Sequence, residues 1–267
     1  MAVLKRGASG AAVERLQRRL LECGFDPGLI DGLFGGGTEA AVLAYQWSEG
    51  LLPDGIAGPR TLKSLGLATV KDAWPDVIPG VSVEAVSEMF PCTPVGNIRR
   101  NLPGVCAALR ARGLTDRPMV LMALATIRAE AECFEPVAEG CSRFNTSPRG
   151  HPFDLYDRRR DLGNQGAPDG ERYRGRGYVQ LTGRFNYARY GDVLGMGSRL
   201  VDEPEDASEP AVAGDLLAAF LADKEALIKR ALVADDLGAA RRLVNGGSHG
   251  LDRFADAFRR GERVLPA

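Results

Sequence analysis

The sequence predicts a mainly α protein in two parts: a small three-helix module over residues 1–67 and a larger helical domain with a cleft over 81–267, joined by a linker at 68–80. Three observations carry that expectation. In both parts apolar residues recur at three- and four-residue intervals, the period of a helix with one buried face. Within the first part a turn motif repeats at a period of 23. Between the parts, Pro75, Pro79, Pro91 and Pro94 interrupt the pattern, and a helix interior does not tolerate them. A chain of 267 residues is long enough to bury one or two proper cores.

Composition excludes several function classes. With 45% hydrophobic and 26% charged residues, the chain reads as an ordinary globular protein. The net charge is -1, and residues 1–66 carry seven basic and seven acidic side chains, so no basic field argues for nucleic acid or an anionic membrane as partner. No apolar run approaches the roughly 20 residues of a membrane span. Cys23, Cys92, Cys106, Cys133 and Cys141 are scattered without a CxxC, which favours reduced thiols over a disulfide framework. His151 and His249 are the only histidines and stand in no zinc-ligand spacing, so neither a metal nor another cofactor is expected. The opening MAVLKRGASG lacks the basic-then-apolar order of a signal peptide, so synthesis in the cytoplasm is expected, as is a monomer.

In the first part, Val13, Leu16, Leu20 and Leu21 mark one face of a first helix. Residues 31–38 read DGLFGGGT and residues 54–61 read DGIAGPRT, both fitting D-G-x-x-G-x-x-T. Each Asp-Gly pair suits a tight turn, because glycine reaches φ > 0 without steric cost. Each threonine, Thr38 and Thr61, suits a helix N-cap. After Thr38, Ala41, Val42 and Tyr45 share one side of a second helix, and "LKSL" begins a short third one. Almost from end to end, "LKRGASGAAVERLQRRLLECGF" together with both turn motifs resembles the peptidoglycan-binding domain joined to many cell-wall enzymes. Trp47 departs from it, standing where a polar residue is usual. The resemblance implies a cell-wall ligand, with Asp31, Phe34, Tyr45 and Asp54 as its binding positions, and implies no particular reaction.

In the second part, "NIRRNLPGVCAALRARGL" predicts a helix ending at Gly113, and "TDRPMVLMALATIRAEAECF" a second, capped by Thr115 or Asp116 with Pro118 in its first turn. Val120, Ala123, Leu124, Ile127, Ala131 and Phe134 form its apolar stripe. Four glutamates follow in "TIRAEAECFEPVAEG". Glu130 lies beside the stripe, Glu132 faces outward where Arg128 can pair with it, Glu135 precedes Pro136, and Glu139 sits in the loop beyond. Two carboxyls in unlike settings are what glycoside hydrolysis commonly uses, one as proton donor and one ionised. Spacing alone favours the other reading, a solvated acidic helix end. Downstream, "RGRGYVQLTGRFNY", residues 174–187, is either a glycine-rich loop against a core or a cleft wall presenting amides and hydroxyls to a sugar.

That stretch resembles the signature G-R-G-x-x-Q-L-[ST]-x-x-x-N-Y of glycoside hydrolase family 19, the chitinase-like and lysozyme-like hydrolases. The glutamate-bearing helix, "FDLYDRRRDLGNQGAPDGERYRGRG" and "LVNGG" are similar to its short, phage-lysin branch, in which a second glutamate follows nine positions after the first, as Glu139 follows Glu130. The resemblance implies Glu130 as general acid, Glu139 as the second carboxylate, and Thr182 as the hydroxyl that helps orient the attacking water. It also implies Gln180, Asn186, Tyr187 and Asn245 as substrate contacts, with Arg253 as the arginine supporting the glutamates. Where the family often reads E-[ST]-G-G-F, this chain reads E-A-E-C-F, which leaves open the tightness of the turn after Glu130 and keeps Glu132 as a competing acid. The expectation is a phage-type endolysin cleaving peptidoglycan glycan strands as a muramidase, by an inverting mechanism without metal. Lacking a signal peptide, it would reach the wall through a holin-type pore. A chitinase-type hydrolase and a non-catalytic wall-binding protein are the alternatives. Two histidines argue against a zinc amidase or carboxypeptidase.

Overall fold

The computed structural model describes residues 3–51, 53–67, 75–247 and 249–266. The protein is mainly α-helical and divides into two compact units, Met1–Pro75 and Asp76–Ala267.

The first unit holds α1 (Ala11–Glu22), α2 (Gly36–Ser48) and α3 (Pro59–Ser64). Val13, Leu16 and Leu20 of α1 meet Phe34, Val42, Tyr45 and Leu65 in its core. The two turn motifs are fastened in the same way. The Gln17 Nε2 lies 3.1 Å from each of Asp31 Oδ1, the Leu33 carbonyl and Thr38 Oγ1. Its Oε1 accepts from the Gly32 amide at 2.9 Å. Gln46 repeats the arrangement with Asp54, Ile56 and Thr61 at 2.9, 2.9 and 3.1 Å, and accepts from the Gly55 amide at 3.0 Å. Gly32 and Gly55, at φ 71° and 70°, supply the left-handed turns the motif needs. The threonines are not N-caps. Those places belong to Gly35 and Gly58, and Thr38 and Thr61 stand one turn further in, buried, with their hydroxyls turned to the glutamines.

Residues 68–74 of the expected linker lie outside the described residues. Its far end packs into the second unit: Val77 and Ile78 are buried in that unit's core, and the Val77 amide donates to the Thr115 carbonyl at 2.9 Å. The helices that follow are α4 (Val83–Met89), α5 (Val95–Ala111) and α6 (Arg117–Glu130). The short strand β1 (Val137–Ala138) comes next, then α7 (Asp169–Arg172) and strand β2 (Arg176–Gly177). The chain continues through α8 (Arg184–Val193), α9 (Arg199–Asp202), α10 (Pro210–Ala222), α11 (Glu225–Val233), α12 (Leu237–Asn245) and α13 (Leu251–Val264). Asp116 caps α6, accepting from the Met119 amide. Residues 119 to 129 of that helix are all buried, so α6 is a central rod and not the one-sided helix its stripe suggested. α13, α10 and α11 pack around it. Among the described residues no helix is long and apolar enough to cross a membrane.

Candidate functional site

α6 ends at Glu130, and the chain must then turn back. Phe134 does so at φ 56°, a costly conformation for an aromatic residue. The surroundings hold it there. Its ring packs edge-on against Phe90 at 4.9 Å. Side chains at the start of α5 and just before it satisfy the turn's carbonyls: Thr93 donates to Glu132, Asn97 to Cys133 at 2.9 Å and Asn101 to Phe134 at 2.9 Å. The E-A-E-C-F departure is therefore accommodated by amides from a neighbouring helix.

Glu130 emerges from this turn with its side chain only 12% exposed. The Arg241 guanidinium, fully buried on α12, donates from Nη2 to Glu130 Oε1 at 2.6 Å. It is itself braced by the His249 carbonyl, at 3.1 Å from Nε and 2.9 Å from Nη2. The Asn245 amide reaches the same Glu130 oxygen at 3.3 Å. A carboxyl so bracketed is held in place through one oxygen, and Glu130 lines the cleft.

Glu139 reaches the same cleft by a different device. β1 and β2 pair antiparallel, with Val137 opposite Gly177 and Ala138 opposite Arg176. Continuing that register by one residue puts Glu139 opposite Gly175, whose carbonyl accepts from the Glu139 amide at 2.8 Å. The Gly175 amide returns a bond to Glu139 Oε2 at 3.2 Å. Oε1 accepts from Asn145 Nδ2 at 2.9 Å and from the Tyr156 hydroxyl at 3.1 Å. All three neighbours donate, and a carboxylate can accept them together. Burial, then the adjacent Glu139 charge, pushes the Tyr156 phenol up to about 12, so it remains a donor throughout the neutral range.

Glu130 and Glu139 line one open cleft of about 870 Å³, together with Gln180, Thr182, Asn186 and Asn245. Gly175 lies at the point where three of these side chains converge. A Cβ there would stand 2.7 Å from Gln180 Oε1, 3.2 Å from Glu139 Oε2 and 3.3 Å from Thr182 Oγ1. Thr182 donates its hydroxyl to the Gln180 carbonyl at 2.9 Å, so toward the cleft it offers lone pairs. Gln180 spends its amide hydrogens on the Val137 and Gly177 carbonyls, at 2.9 and 3.1 Å, and keeps Oε1 for the cleft. Asn186 donates to the Thr182 carbonyl at 2.7 Å.

Several expected site residues lie elsewhere. Tyr187 is fully buried against Tyr173 and donates to the Arg174 carbonyl at 2.8 Å. It also accepts from the buried Arg176 guanidinium at 3.0 Å, so it builds the wall and does not face the cleft. Arg253 is half exposed and pairs with Glu132 at 3.2 Å, outside the cleft lining. Arg241 occupies the supporting role assigned to it. Glu132 points outward to Arg128 and Arg253. Burial works against its charge, but these two guanidinia outweigh it and hold the carboxyl below its usual value. Glu135 pairs with Arg100 at 2.6 Å on the surface. In the first unit Phe34 and Tyr45 are core residues, and Asp31 and Asp54 fasten the turns. Asp31 remains exposed and Asp54 partly so. Sequence reading also passed over Asn145, Tyr156 and Phe144. Phe144 is 73% exposed at the cleft, and an exposed aromatic face in a sugar-sized cleft suits a pyranose ring. "FNT" and "FDLYDRR" contained these residues but no spacing that gave them a role.

Residues 9–65 match the family model described as a putative peptidoglycan binding domain. The chain is similar to a spore cortex-lytic enzyme of Bacillus cereus, 47% identical over 70 residues, covering 26% of this chain and 27% of that protein. It is also similar to the N-acetylmuramoyl-L-alanine amidase CwlM of Mycobacterium tuberculosis, 52% identical over 56 residues, covering 21% of this chain and 14% of the other. Among solved structures it is similar to chitinase C from Streptomyces griseus, 21% identical with a TM-score of 0.47, over 76% of this chain and 85% of that one. The chain spans about a quarter of the length of the first of these curated relatives. The family match lies within the first unit.

Proposed function

We propose that the chain is a glycoside hydrolase of peptidoglycan, of the lysozyme-like kind grouped in glycoside hydrolase family 19, acting as a phage-type endolysin with muramidase specificity. The observation that carries this reading is the pair Glu130 and Glu139 in one cleft, each held by its own set of donors. Glu130 protonates the leaving glycosidic oxygen, and Arg241 and Asn245 stabilise the carboxylate left behind. Glu139 accepts a proton from a water seated near Gly175, toward which the Thr182 and Gln180 oxygens also point. Direct attack by that water inverts the anomeric centre. None of these steps calls on a metal. The similarity of residues 9–65 to a peptidoglycan-binding domain favours peptidoglycan over chitin. A module bound to the polymer raises the local concentration of scissile bonds. Release through a holin-type pore belongs to the same proposal. Glu130→Gln is nearly isosteric but cannot donate as an acid. It should abolish turbidity loss on purified peptidoglycan while wall binding is retained, and lysis by this variant would refute the assignment.

A further inference from the structure

We propose that a groove beside the cleft binds the acidic peptide stem carried by the glycan strand, so that the second unit recognises its substrate by the stem as well as the sugar. This rests on the reading of the cleft as a peptidoglycan-cleaving site. The groove runs between α11 and α12 and has a volume of about 420 Å³, inside the roughly 300–1,000 Å³ range of small-ligand pockets. Arg242 and Leu243 line both groove and cleft, so a branch leaving a sugar in the cleft has a continuous path into it. Leu227, Ala231 and Ala239 supply small apolar walls, and Arg230 and Arg242 supply two guanidinium groups.

The charge pattern selects the occupant. Arginines elsewhere on this unit, such as Arg189 with Asp223, Arg199 with Asp206 and Arg260 with Asp256, are held by carboxylates. Among the described residues, Arg230 and Arg242 make no ion pair and no side-chain hydrogen bond. Asp236, the carboxylate in the groove, has its Oδ1 taken by the Ala239 amide at 2.7 Å. Two unpaired guanidinium groups over small apolar walls suit a short peptide with small side chains and free carboxylates, which guanidinium groups bind through paired N–H donors. Neutral chitin carries no such group, so the groove discriminates between the two polymers.

The test compares two substrates with the full chain: purified peptidoglycan, and the same glycan strands after an amidase has removed their stems. Arg230 lies on the groove but outside the cleft lining. Arg230→Glu should raise KM on stem-bearing strands by roughly fivefold or more, as reversal of a single exposed charge contact allows, with little change on stripped strands. An equal change on both substrates, or none on either, would overturn the groove. If the unaltered chain cleaves neither substrate, the hydrolase reading fails, and binding then decides the groove separately. Calorimetry with a soluble muramyl peptide on the Glu130→Gln chain should show binding that Arg230→Glu weakens by a similar factor. Absence of binding, or binding that ignores the charge reversal, overturns the proposal.

Discussion

At the scale of single residues, the site is a set of carboxyls whose neighbours were harder to read than the carboxyls themselves. Glu130 and Glu139 were singled out by the resemblance, in which a second glutamate follows nine positions after the first, and both line one cleft. Arg241 was not. It lies 111 positions from Glu130, and the resemblance pointed to Arg253 instead, while only the placing of α12 beside α13 in the fold decides which guanidinium arrives. Arg241→Met should cost about 3 kcal/mol of stability, because it leaves a nearly buried carboxyl without its partner; urea denaturation measures it, and an unchanged midpoint would show the pair to be dispensable. Gly175 offers a cleaner separation of activity from folding. Its φ is not positive, so alanine suits the backbone, yet the methyl would fill the space shared by Glu139, Thr182 and Gln180. Gly175→Ala should lower kcat by about tenfold or more, from displacement of a catalytic group, while the melting temperature moves little. Wild-type turnover in this variant would remove the water site from the mechanism.

At the scale of elements, the repeat in the first unit was legible as turns and helices, but its fastening was not. The motif announced Asp, Gly and Thr; the residue that ties them together is the glutamine of the preceding helix, 14 positions before Asp31 in one copy and 8 before Asp54 in the other. Unequal offsets hide such a partner from any fixed-period reading. The threonines were misread because a threonine six residues after a turn glycine is a plausible cap, and only the buried glutamine draws its hydroxyl inward. Gln17→Leu keeps the volume and removes every bond to the loop, stranding the Gly32 amide and one Asp31 contact. It should destabilise the chain by about 1–3 kcal/mol, with Gln46→Leu similar, measured as a fall in the first unit's denaturation midpoint. Two neutral substitutions would mean that the loops hold themselves. For α6, the apolar stripe was legible, whereas burial on all sides was not, since alanines at 123, 125 and 129 carry weak patterning yet permit close approach of neighbouring helices.

At the scale of the whole molecule, the mainly helical class was legible, because helical period survives in both parts of the chain. The cleft was less so: it is made where the end of α6, a two-strand ribbon and the end of α12 meet, and these lie far apart in sequence. The density of buried phenols has a consequence of its own. Burial raises Tyr156 and Tyr187 to about 12 and Tyr178 and Tyr190 further still. In the unfolded chain all titrate near 10. Below about pH 10 both states hold these protons and stability is unaffected; above it the unfolded chain releases protons that the folded chain keeps, so stability falls as pH rises. Urea midpoints should therefore drop between about pH 10 and pH 12, with phenolate absorbance of the native protein delayed to higher pH. A flat midpoint, or native tyrosines all titrating near 10, would contradict the burial described for them.

The central claim is that Glu130 and Glu139 cut the glycan, and mass spectrometry of the fragments released from purified peptidoglycan tests it most directly. The proposed chemistry predicts glycan fragments with new reducing-end muramic acid and intact stems, produced by the unaltered chain and missing with Glu130→Gln. Free peptide stems from uncut glycan, or the same fragments from the Glu130→Gln chain, would contradict it.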